Sequence, residues 1–490
     1  MAANSFKAIM FQGTGSDVGK SILVAGLCRA LYNRGKTVRP FKPQNMSNNA
    51  AVTSDGGEIG RAQALQARAA KSIPNSHMNP VLLKPQTEIG SQIIVQGKLF
   101  GHAQALDYYK LKPRLLKKVL ESFKVIKKEA DIVLVEGAGS PAEVNLRAGD
   151  IANMGFAVAA NVPVVLIADI ERGGVIASLI GTFEVLTRQE KDKVKGFIIN
   201  KFRGDKTLFQ DAIKIIQTHT GWPCFGIVPF LENVGSLPQE DAMALDKKFL
   251  KARGKNIIKI VVPRLSRIAN FDDLDPLRCE PDVHVEIVDS TKMLPGDADI
   301  ILIPGTKSTL SDLKYIRDCG WDIDILSHHR RGGLIVGICG GFQILGTNIN
   351  DPEGIEGFPG EAKGLGLLDV STVIKGDKTL REVRGLDVFT KESFVGYEMH
   401  IGKTVGADLL RPWLQLADGR SEGAASLDGS VLGSYIHGLF VSDQFRSSFL
   451  NRVRSGRMRQ NAYEIKIEKV LDQVAATLEE NIDVDRLISL

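Results

Sequence analysis

Short apolar runs alternate with longer amphipathic stretches along most of the chain. In the first half, the apolar runs predict strands at residues 8–12, 37–42, 131–136, 163–168, 196–200 and 223–228. Helical periodicity is clearest at residues 20–33, 114–129 and 175–188. Continuously apolar strands separated by helices indicate a parallel sheet that is covered on both faces. Ligands of such a sheet bind beyond the carboxyl ends of its strands, so the residues that follow these strands are the candidates for chemistry.

A charge-rich stretch at residues 231–256 interrupts this rhythm, and a second α/β pattern follows it. Further strands are predicted at residues 257–262, 284–288, 299–304, 333–338, 423–427 and 431–436. We therefore predict an α/β protein of two domains. Their predicted bounds are a parallel-sheet domain at 1–235, a linker at 236–256, a second α/β domain at 257–445 and a helical tail at 446–490.

A glycine-rich segment lies between the first predicted strand and the first helix, and it reads Gly13-Thr-Gly-Ser-Asp-Val-Gly-Lys-Ser21. Glycines let backbone N–H groups converge on phosphate oxygens, and the helix N-terminus favours negative charge. The lysine would neutralise the terminal phosphates, and the serine hydroxyl would ligate Mg²⁺. The predicted nucleotide-binding residues of this phosphate loop are Gly13, Thr14, Gly15, Val18, Gly19, Lys20 and Ser21.

The phosphate loop has the spacing G-x5-G-K-S, one residue longer than the usual loop. Loops of this longer type resemble those of dethiobiotin synthetase and its relatives, which phosphorylate or activate carboxylates. The resemblance implies an ATP-dependent ligase domain that begins at the N-terminus.

Acidic residues end two of the predicted strands, as expected for Mg²⁺ bound by one or two carboxylates plus phosphates. Glu136 is the favoured metal ligand beside Ser21, because the turn that it begins resembles the metal site of the dethiobiotin synthetase relatives. Asp169 is either a second ligand or a helix N-cap. Asp17 is predicted to bind metal or organise phosphate, and Asn200 either reads an adenine edge or forms a turn.

Cys339 follows the predicted strand at 333–338 and is flanked by Gly337, Gly340 and Gly341. A nucleophile on such a sharp strand-to-helix turn is exposed, and neighbouring N–H groups can form an oxyanion hole. His437, at the end of a later strand, is the predicted base, with His400 as its rival. The turn at Gly305 is predicted to add backbone donors. The chain has five cysteines, an odd number without C-x-x-C spacing, and Cys28 and Cys319 read as small buried side chains.

Composition narrows the function classes. The chain has 490 residues and a net charge of +5 without a long basic block, which disfavours nucleic acid and membrane surfaces as partners. We see no apolar run of bilayer-spanning length and no signal-peptide pattern. Unpaired cysteines favour a reducing compartment. These features predict a cytoplasmic protein that acts on small molecules.

Cys339, His437 and the glycines around them resemble the class I glutamine amidotransferase family, whose domain is flavodoxin-like. In that family the cysteine attacks the glutamine amide, releases ammonia and leaves a thioester that water hydrolyses. The resemblance implies oxyanion and glutamine-binding roles for Gly305, Gly340 and Gln343. The family usually has an acid two residues after the histidine, but this chain has Leu439. Either Glu398 or Asp443 is then left to orient the histidine.

The whole chain resembles the cobyric acid synthase family of adenosylcobalamin biosynthesis. The segments that carry this resemblance are residues 41–49, 57–66, 77–85 and 396–400. Local pattern alone predicts an Asn-rich turn at 44–49 and an amphipathic helix at 58–71. The resemblance implies instead that they line a corrinoid and nucleotide site, with Gln44, Asn45, Ser47 and Asn48 as candidate corrinoid contacts.

The implied reaction is amidation of the b, d, e and g carboxylates of adenosylcobyrinic acid a,c-diamide with ATP, Mg²⁺ and glutamine. A shielded path would carry ammonia between the two sites. Three alternatives stay open at this point. They are a cobyrinic acid a,c-diamide synthase, a partition-type switch ATPase with a non-catalytic second domain, and a dethiobiotin-type synthetase with a degenerate second domain.

Overall fold

The computed structural model describes residues 7–86, 90–238, 240, 257–457 and 463–490. A six-stranded parallel sheet forms the centre of the first domain. In spatial order its strands are Cys224–Pro229, Val194–Phe202, Val164–Asp169, Lys7–Gly13, Ile132–Glu136 and Val38–Phe41. The six strands predicted from apolar runs thus belong to one sheet. Their carboxyl ends share one edge, because all the neighbouring pairs run parallel.

Helices pack on both faces of this sheet and give two separate layers of core. The helices of the first domain are Lys20–Asn33, Arg61–Ala69, Ala105–Lys128, Met154–Ala160, Val175–Val185, Arg188–Lys191 and Gln210–Thr220. A smaller lobe adds the strands Gln44–Met46, Val81–Pro85, Gly90–Val95 and Lys98–Gln104, with a hairpin of Ala50–Val52 and Glu58–Gly60.

The smaller lobe differs from the local sequence pattern in two places. Residues Gln44–Met46 pair with Val81–Pro85 as a strand rather than forming only a turn. The helix predicted at 58–71 begins at Arg61, because Glu58–Gly60 pairs with Ala50–Val52 in the hairpin. Pairing with a distant strand overrides helical periodicity at these positions.

The second domain contains another six-stranded sheet. In spatial order its strands are Val283–Val288, Ile258–Pro263, Ile300–Ile303, Leu334–Ile338, Val431–Ser434 and Ala424–Ala425, the last of them antiparallel. Its helices are Asp275–Arg278, Thr309–Asp318, Trp321–Arg330, Gly340–Leu345 and Asp443–Val453. Of the predicted linker, 236–256, only 236–238 and 240 lie within the described residues.

The described residues of the second domain also form three smaller sheets. A five-stranded sheet is formed by Ser421–Glu422, Leu414–Leu416, Thr379–Asp387, Ser393–His400 and Ile436–His437. A four-stranded sheet is formed by Gly360–Lys363, Asn348–Asp351, Ser371–Val373 and Lys403–Val405. Ile268–Ala269 pairs with Gly305–Thr306 as a short antiparallel ribbon.

The C-terminal segment returns to the first domain. Its helix Tyr463–Asn481, which precedes the short helix Val484–Ile488, packs on Lys20–Asn33, the helix that begins at the phosphate loop. A Cβ atom on Gly26 would lie 2.6 Å from both Val474 and Leu478, so the two helices approach closely there. The tail therefore contributes to the core of the nucleotide-binding domain.

The smaller lobe of the first domain packs against the second domain. Ala50, Leu82 and Ile94 form one apolar cluster with Met399 of the second domain. Beside it, the buried carboxylate of Glu58 pairs with Lys84 and with Lys378 of the second domain. The two domains thus share a buried interface at these residues.

Candidate active sites

The phosphate loop connects the strand Lys7–Gly13 to the helix Lys20–Asn33. Gly19, at the N-cap of this helix, has φ 92°, a conformation that favours glycine. The buried Lys20 ammonium folds back over the loop and donates to the carbonyls of Gly15 (3.1 Å) and Gly139 (3.0 Å). Burial lowers the pKa of Lys20, while nearby Glu136 opposes this effect. The loop therefore presents a lysine whose donors are held by carbonyls that a phosphate can replace.

Oxygen ligands collect beside this loop. Ser21 Oγ donates to Glu136 Oε1 over 2.8 Å, and Lys42 Nζ contacts the same oxygen at 3.0 Å. Gln66 donates to the other carboxylate oxygen, while its own Oε1 is buried without a partner among the described residues. Glu240 lies 3.2 Å from Lys42. Burial opposes ionisation of Glu136, but Lys42 and the hydrogen bonds keep its pKa below the ordinary value.

This set of atoms fits a hard divalent cation. In the described ranges we find no group of three or more His, Cys, Asp or Glu side chains that would hold a metal by itself. A hydroxyl, a buried carboxylate and an unpartnered amide oxygen nevertheless suit Mg²⁺, which takes few protein ligands and completes its shell with phosphates and water.

Two acidic residues that the sequence offered as metal ligands, Asp17 and Asp169, lie at the same sheet edge in different environments. Asp17 is exposed in the loop, 3.7 Å from Arg172. Asp169 accepts the N–H of Glu171 over 2.7 Å and pairs with Lys201, whereas the next helix begins only at Val175. Its carboxylate is thus held in a turn and an ion pair rather than at a helix N-cap.

Asn200 is buried behind the phosphate loop. Its side-chain amide donates to the carbonyl of Val18 over 2.8 Å. A Cβ atom on Gly19 would lie 2.4 Å from the same amide nitrogen. The geometry gives Asn200 a contact that shapes the loop, in addition to the two roles considered from sequence.

The candidate corrinoid residues lie next to the oxygen ligands. Asn45 Nδ2 and Ser47 Oγ both contact Glu240, the latter through the Glu240 carbonyl at 3.0 Å. Gln44 accepts a hydrogen bond from Tyr108 over 2.6 Å. Asn48 Oδ1 is buried and has no partner among the described residues. This polar segment therefore borders the carboxylate of Glu240, which lies beside Lys42 next to the phosphate loop.

Cys339 occupies a strained turn in the second domain. It has φ 54° and ψ −111°, between the strand Leu334–Ile338 and the helix Gly340–Leu345. A Cβ atom on Gly341 would lie 2.1 Å from the carbonyl of Ile303, and one on Gly337 would lie 2.6 Å from the carbonyl of Gly341. Only glycine fits at these contacts, so the turn projects the half-buried thiol from the sheet edge.

His437 faces this thiol and is oriented by Asp273. His437 Nδ1 lies 2.7 Å from Asp273 Oδ2, and the other carboxylate oxygen accepts the N–H of Gly438 over 2.6 Å. Burial disfavours the imidazolium, but Asp273 and the interaction with Cys339 outweigh it and raise the pKa of His437 to about 10. The three side chains form a thiol–imidazole–carboxylate arrangement that favours charge separation between sulfur and imidazole.

The acids left open by the sequence lie elsewhere. Glu398 pairs with Arg381 and Arg420, and Asp443 pairs with Arg446. Asp273 could not be predicted from local sequence, because it comes 164 residues before His437. The only available signal was the Asp272–Asp273 pair in the loop that follows the first strand of this domain.

A narrow pocket opens at Cys339. Its lining includes Thr306, Lys307, Gly340, Gln343, Glu356 and His400 from the second domain and Gln86 and Gln92 from the first. Gly305 lies beside His437 and Cys339, since a Cβ atom on it would be 3.1 Å from the first and 3.7 Å from the second. Gln343 is fixed by Thr309 and by the carbonyl of Ile401. His400, the rival base, stacks on Tyr435 with ring centroids 3.8 Å apart.

Comparison with known proteins agrees with this architecture. Residues 9–244 match the family described as the CobQ/CobB/MinD/ParA nucleotide binding domain, and residues 259–445 match the CobB/CobQ-like glutamine amidotransferase domain. The predicted two-domain α/β class is confirmed. Fold and sites together define a nucleotide-binding, glutamine-dependent amidotransferase of the ligase class.

Three relatives, each called cobyric acid synthase, match nearly the whole chain. The protein of Methylorubrum populi is 56% identical and covers 99% of both chains. Those of Caulobacter sp. and Brucella suis are 55% and 54% identical, over 98% and 99% of both chains. The chain belongs to the cobyric acid synthase family, as the sequence resemblance predicted. Among the described helices none is long and apolar enough to cross a membrane.

Proposed function

We propose that this protein uses ATP and glutamine to amidate the b, d, e and g carboxylates of adenosylcobyrinic acid a,c-diamide. One observation carries the proposal: a complete phosphate loop and a cysteine–histidine–aspartate arrangement occur in one chain, on domains that share a buried interface. The near full-length likeness to cobyric acid synthases supports the choice of substrate.

The nucleotide site would make the carboxylate reactive. A carboxylate is a poor electrophile, so the γ-phosphoryl group of ATP is transferred to it, ADP leaves, and an acyl phosphate results. Lys20, Lys42 and the loop amides are the groups that would stabilise the charge of this transfer. Ammonia then attacks the acyl carbon, and inorganic phosphate departs.

Mg²⁺ would be held by Ser21 and Glu136, with Gln66 and Glu240 close enough to complete or orient its oxygen shell. When bound, it would supply charge neutralisation on the phosphates. We propose that Asp17 organises phosphate and that Asn200 contacts the nucleotide. Corrinoid contact is proposed for the polar residues Gln44, Asn45, Ser47 and Asn48.

The cysteine site would release the ammonia. Cys339 attacks the glutamine side-chain amide, while the N–H groups near Gly305 and Gly340 receive the developing oxyanion. His437 takes the thiol proton and passes it to the leaving ammonia. Water then hydrolyses the glutamyl thioester. Because Gln86 and Gln92 of the first domain line the same pocket, ammonia released there is already at the domain interface.

The decisive experiment incubates the protein with adenosylcobyrinic acid a,c-diamide, ATP, Mg²⁺ and glutamine and counts acid-to-amide mass shifts per corrinoid. We expect successive shifts up to full amidation of the named carboxylates. The comparison is a parallel incubation with cobyrinic acid. If only cobyrinic acid is amidated, the protein is the sister a,c-diamide synthase and the proposed substrate is wrong.

A cysteine variant tests the source of nitrogen. Cys339→Ala should lose glutamine-dependent amidation and keep the reaction with added ammonia. Cys319→Ala is the matched control, since that cysteine is also partly buried but lies at the end of the helix Thr309–Asp318. Glutamine use by Cys339→Ala at the wild-type rate would exclude the proposed nucleophile.

A further inference from the structure

An arginine of the nucleotide-binding domain reaches the cysteine site. Arg61 begins the helix Arg61–Ala69, called here the interface helix, and its side chain is 15% exposed. Its Nη2 donates to the carbonyl of Ala50 and to the hydroxyl of Tyr397, both over 2.8 Å. The same nitrogen lies 2.7 Å from the carboxylate of Asp272. One guanidinium therefore connects the first domain to two side chains of the second.

Both of those side chains adjoin the catalytic histidine. The ring of Tyr397 stacks on the imidazole of His437, with centroids 5.3 Å apart and an angle of 19° between the planes. Asp272 directly precedes Asp273, the partner of His437 Nδ1. Movement of either residue would therefore change the position of the imidazole relative to the thiol of Cys339.

The contact is electrostatically costly to lose. Burial raises the pKa of Asp272, and the neighbouring guanidinium opposes that rise. Removing the cation would leave a buried carboxylate without its counter-charge next to Asp273. The carboxylate would then become protonated or turn away, and either response disturbs the turn that holds Asp273.

The interface helix is held firmly at its other end. Gln66 donates to Glu136 beside the phosphate loop, and Arg68 pairs with Glu464 and Glu468 of the C-terminal helix. Because the interface helix is anchored in this way, the backbone at Arg61 has a fixed position. The side chain of Arg61 extends from there across the interface.

We propose that Arg61 is a positioning residue for glutamine hydrolysis, through which the nucleotide-binding domain completes the cysteine site of the other domain. The inference rests on the proposed role of Cys339 and His437. Arg61 holds Tyr397 against one face of the imidazole and Asp272 beside its carboxylate partner. It does not touch the reacting atoms, and its effect is on the alignment of the histidine.

The test compares Arg61→Met and Arg61→Lys with Arg68→Met, a matched control on the same helix that lies away from the cysteine site. Glutamate release gives kcat and KM, added ammonia reports the nucleotide site, and thermal unfolding reports folding. We expect Arg61→Met to lower kcat for glutamine by roughly ten- to a hundredfold with little change in KM. Arg61→Lys should recover part of this loss, and both variants should lower ammonia-dependent amidation far less than glutamine-dependent amidation.

A double-mutant cycle gives an independent measurement. Tyr397→Phe removes the hydroxyl that accepts from Arg61 but keeps the ring that stacks on His437. If the contact acts through Tyr397, the loss in Arg61→Met with Tyr397→Phe will be smaller than the product of the single losses.

Several outcomes would overturn the inference. Wild-type glutamine kinetics in Arg61→Met would do so, as would equal losses in Arg61→Met and Arg68→Met. A parallel loss of ammonia-dependent and glutamine-dependent activity would assign Arg61 a purely structural role. By contrast, glutamine hydrolysis by Cys339→Ala would overturn the proposed function itself, so the two failures are distinguishable.

Discussion

Replacing Asp273 with asparagine is the sharpest test of the cysteine site. One carboxylate oxygen accepts the N–H of Gly438 over 2.6 Å, while the other lies 2.7 Å from His437 Nδ1. In the variant, the amide oxygen can keep the contact with Gly438, which turns the NH₂ group toward Nδ1. The imidazole must then carry its proton on Nε2 and can no longer accept one from the thiol of Cys339.

The size of the effect follows from the imidazolium that the site stabilises. A rise in the pKa of His437 from 6.5 to about 10 corresponds to about 5 kcal/mol, the net result of burial, which lowers the pKa, and of Asp273 and Cys339, which raise it. Loss of one hydrogen bond to a charged group, worth about 1.5–3 kcal/mol, slows glutamine hydrolysis by up to about 10²-fold. The tautomer effect acts in the same direction, and about 10⁴-fold is the loss seen for the equivalent change in serine-protease triads. We therefore expect a loss of about 10²- to 10⁴-fold.

The assay measures glutamate release and, separately, amidation with added ammonia, which should be unchanged. Asp443→Asn is a matched control, because that carboxylate pairs with Arg446 rather than with His437. Glu398→Gln tests the other acid that the sequence left open. Wild-type glutamine hydrolysis by Asp273→Asn, together with a slow Asp443→Asn or Glu398→Gln, would refute this reasoning.

Three further predictions concern stability and pH. Glu58→Gln leaves Lys84 and Lys378 buried without a counter-charge and should cost about 3–5 kcal/mol in urea unfolding. Lys84→Met should cost less, because Lys378 still pairs with Glu58, and an equal cost would contradict the ion-pair account. Gly26→Ala should destabilise by about 1–3 kcal/mol through contact with Val474 and Leu478, even though alanine favours helix. Gly181→Ala is the control for this variant, since an added Cβ there has open space among the described residues. It should stabilise the protein by up to about 1 kcal/mol. Equal destabilisation by the two variants would argue against helix packing as the cause. Because the pKa of His437 is raised in the folded state, its contribution to stability is complete below about pH 6.5 and lost as pH rises through about 10. The difference in unfolding free energy between wild type and Asp273→Asn should therefore shrink between pH 7 and pH 10, and a constant difference would count against the raised pKa.

The C-terminal helix Tyr463–Asn481 is part of the core of the first domain. It follows the amidotransferase domain in sequence but packs on the helix that begins at the phosphate loop. Arg29, buried in that helix, pairs with Glu468 and Asp472 of the C-terminal helix. The chain therefore passes through the second domain and returns, which holds the two domains together at both ends of the amidotransferase domain.

The sequence alone was sufficient for the features that depend on neighbouring residues. Continuously apolar runs marked both central sheets, because parallel strands are buried on two faces. Glycines marked the phosphate loop and the turn at Cys339, because each requires close backbone approach or a left-handed conformation within a few residues. The resemblance of residues 41–49, 57–66, 77–85 and 396–400 to cobyric acid synthases predicted the family that the comparisons show.

Tertiary structure decided everything that joins distant parts of the chain. Asp273 pairs with His437, Arg61 crosses from one domain to the other, and Lys42 and Gln66 join Ser21 at Glu136. None of these pairings has a fixed spacing, because they follow from which strands become neighbours and which helix lies across an interface. The short strands of the smaller lobe were likewise decided by tertiary structure, because they form by pairing with other segments of the chain. Local pattern selects an element and its exposed face, whereas the partner of a buried charge is selected only when the whole chain has packed.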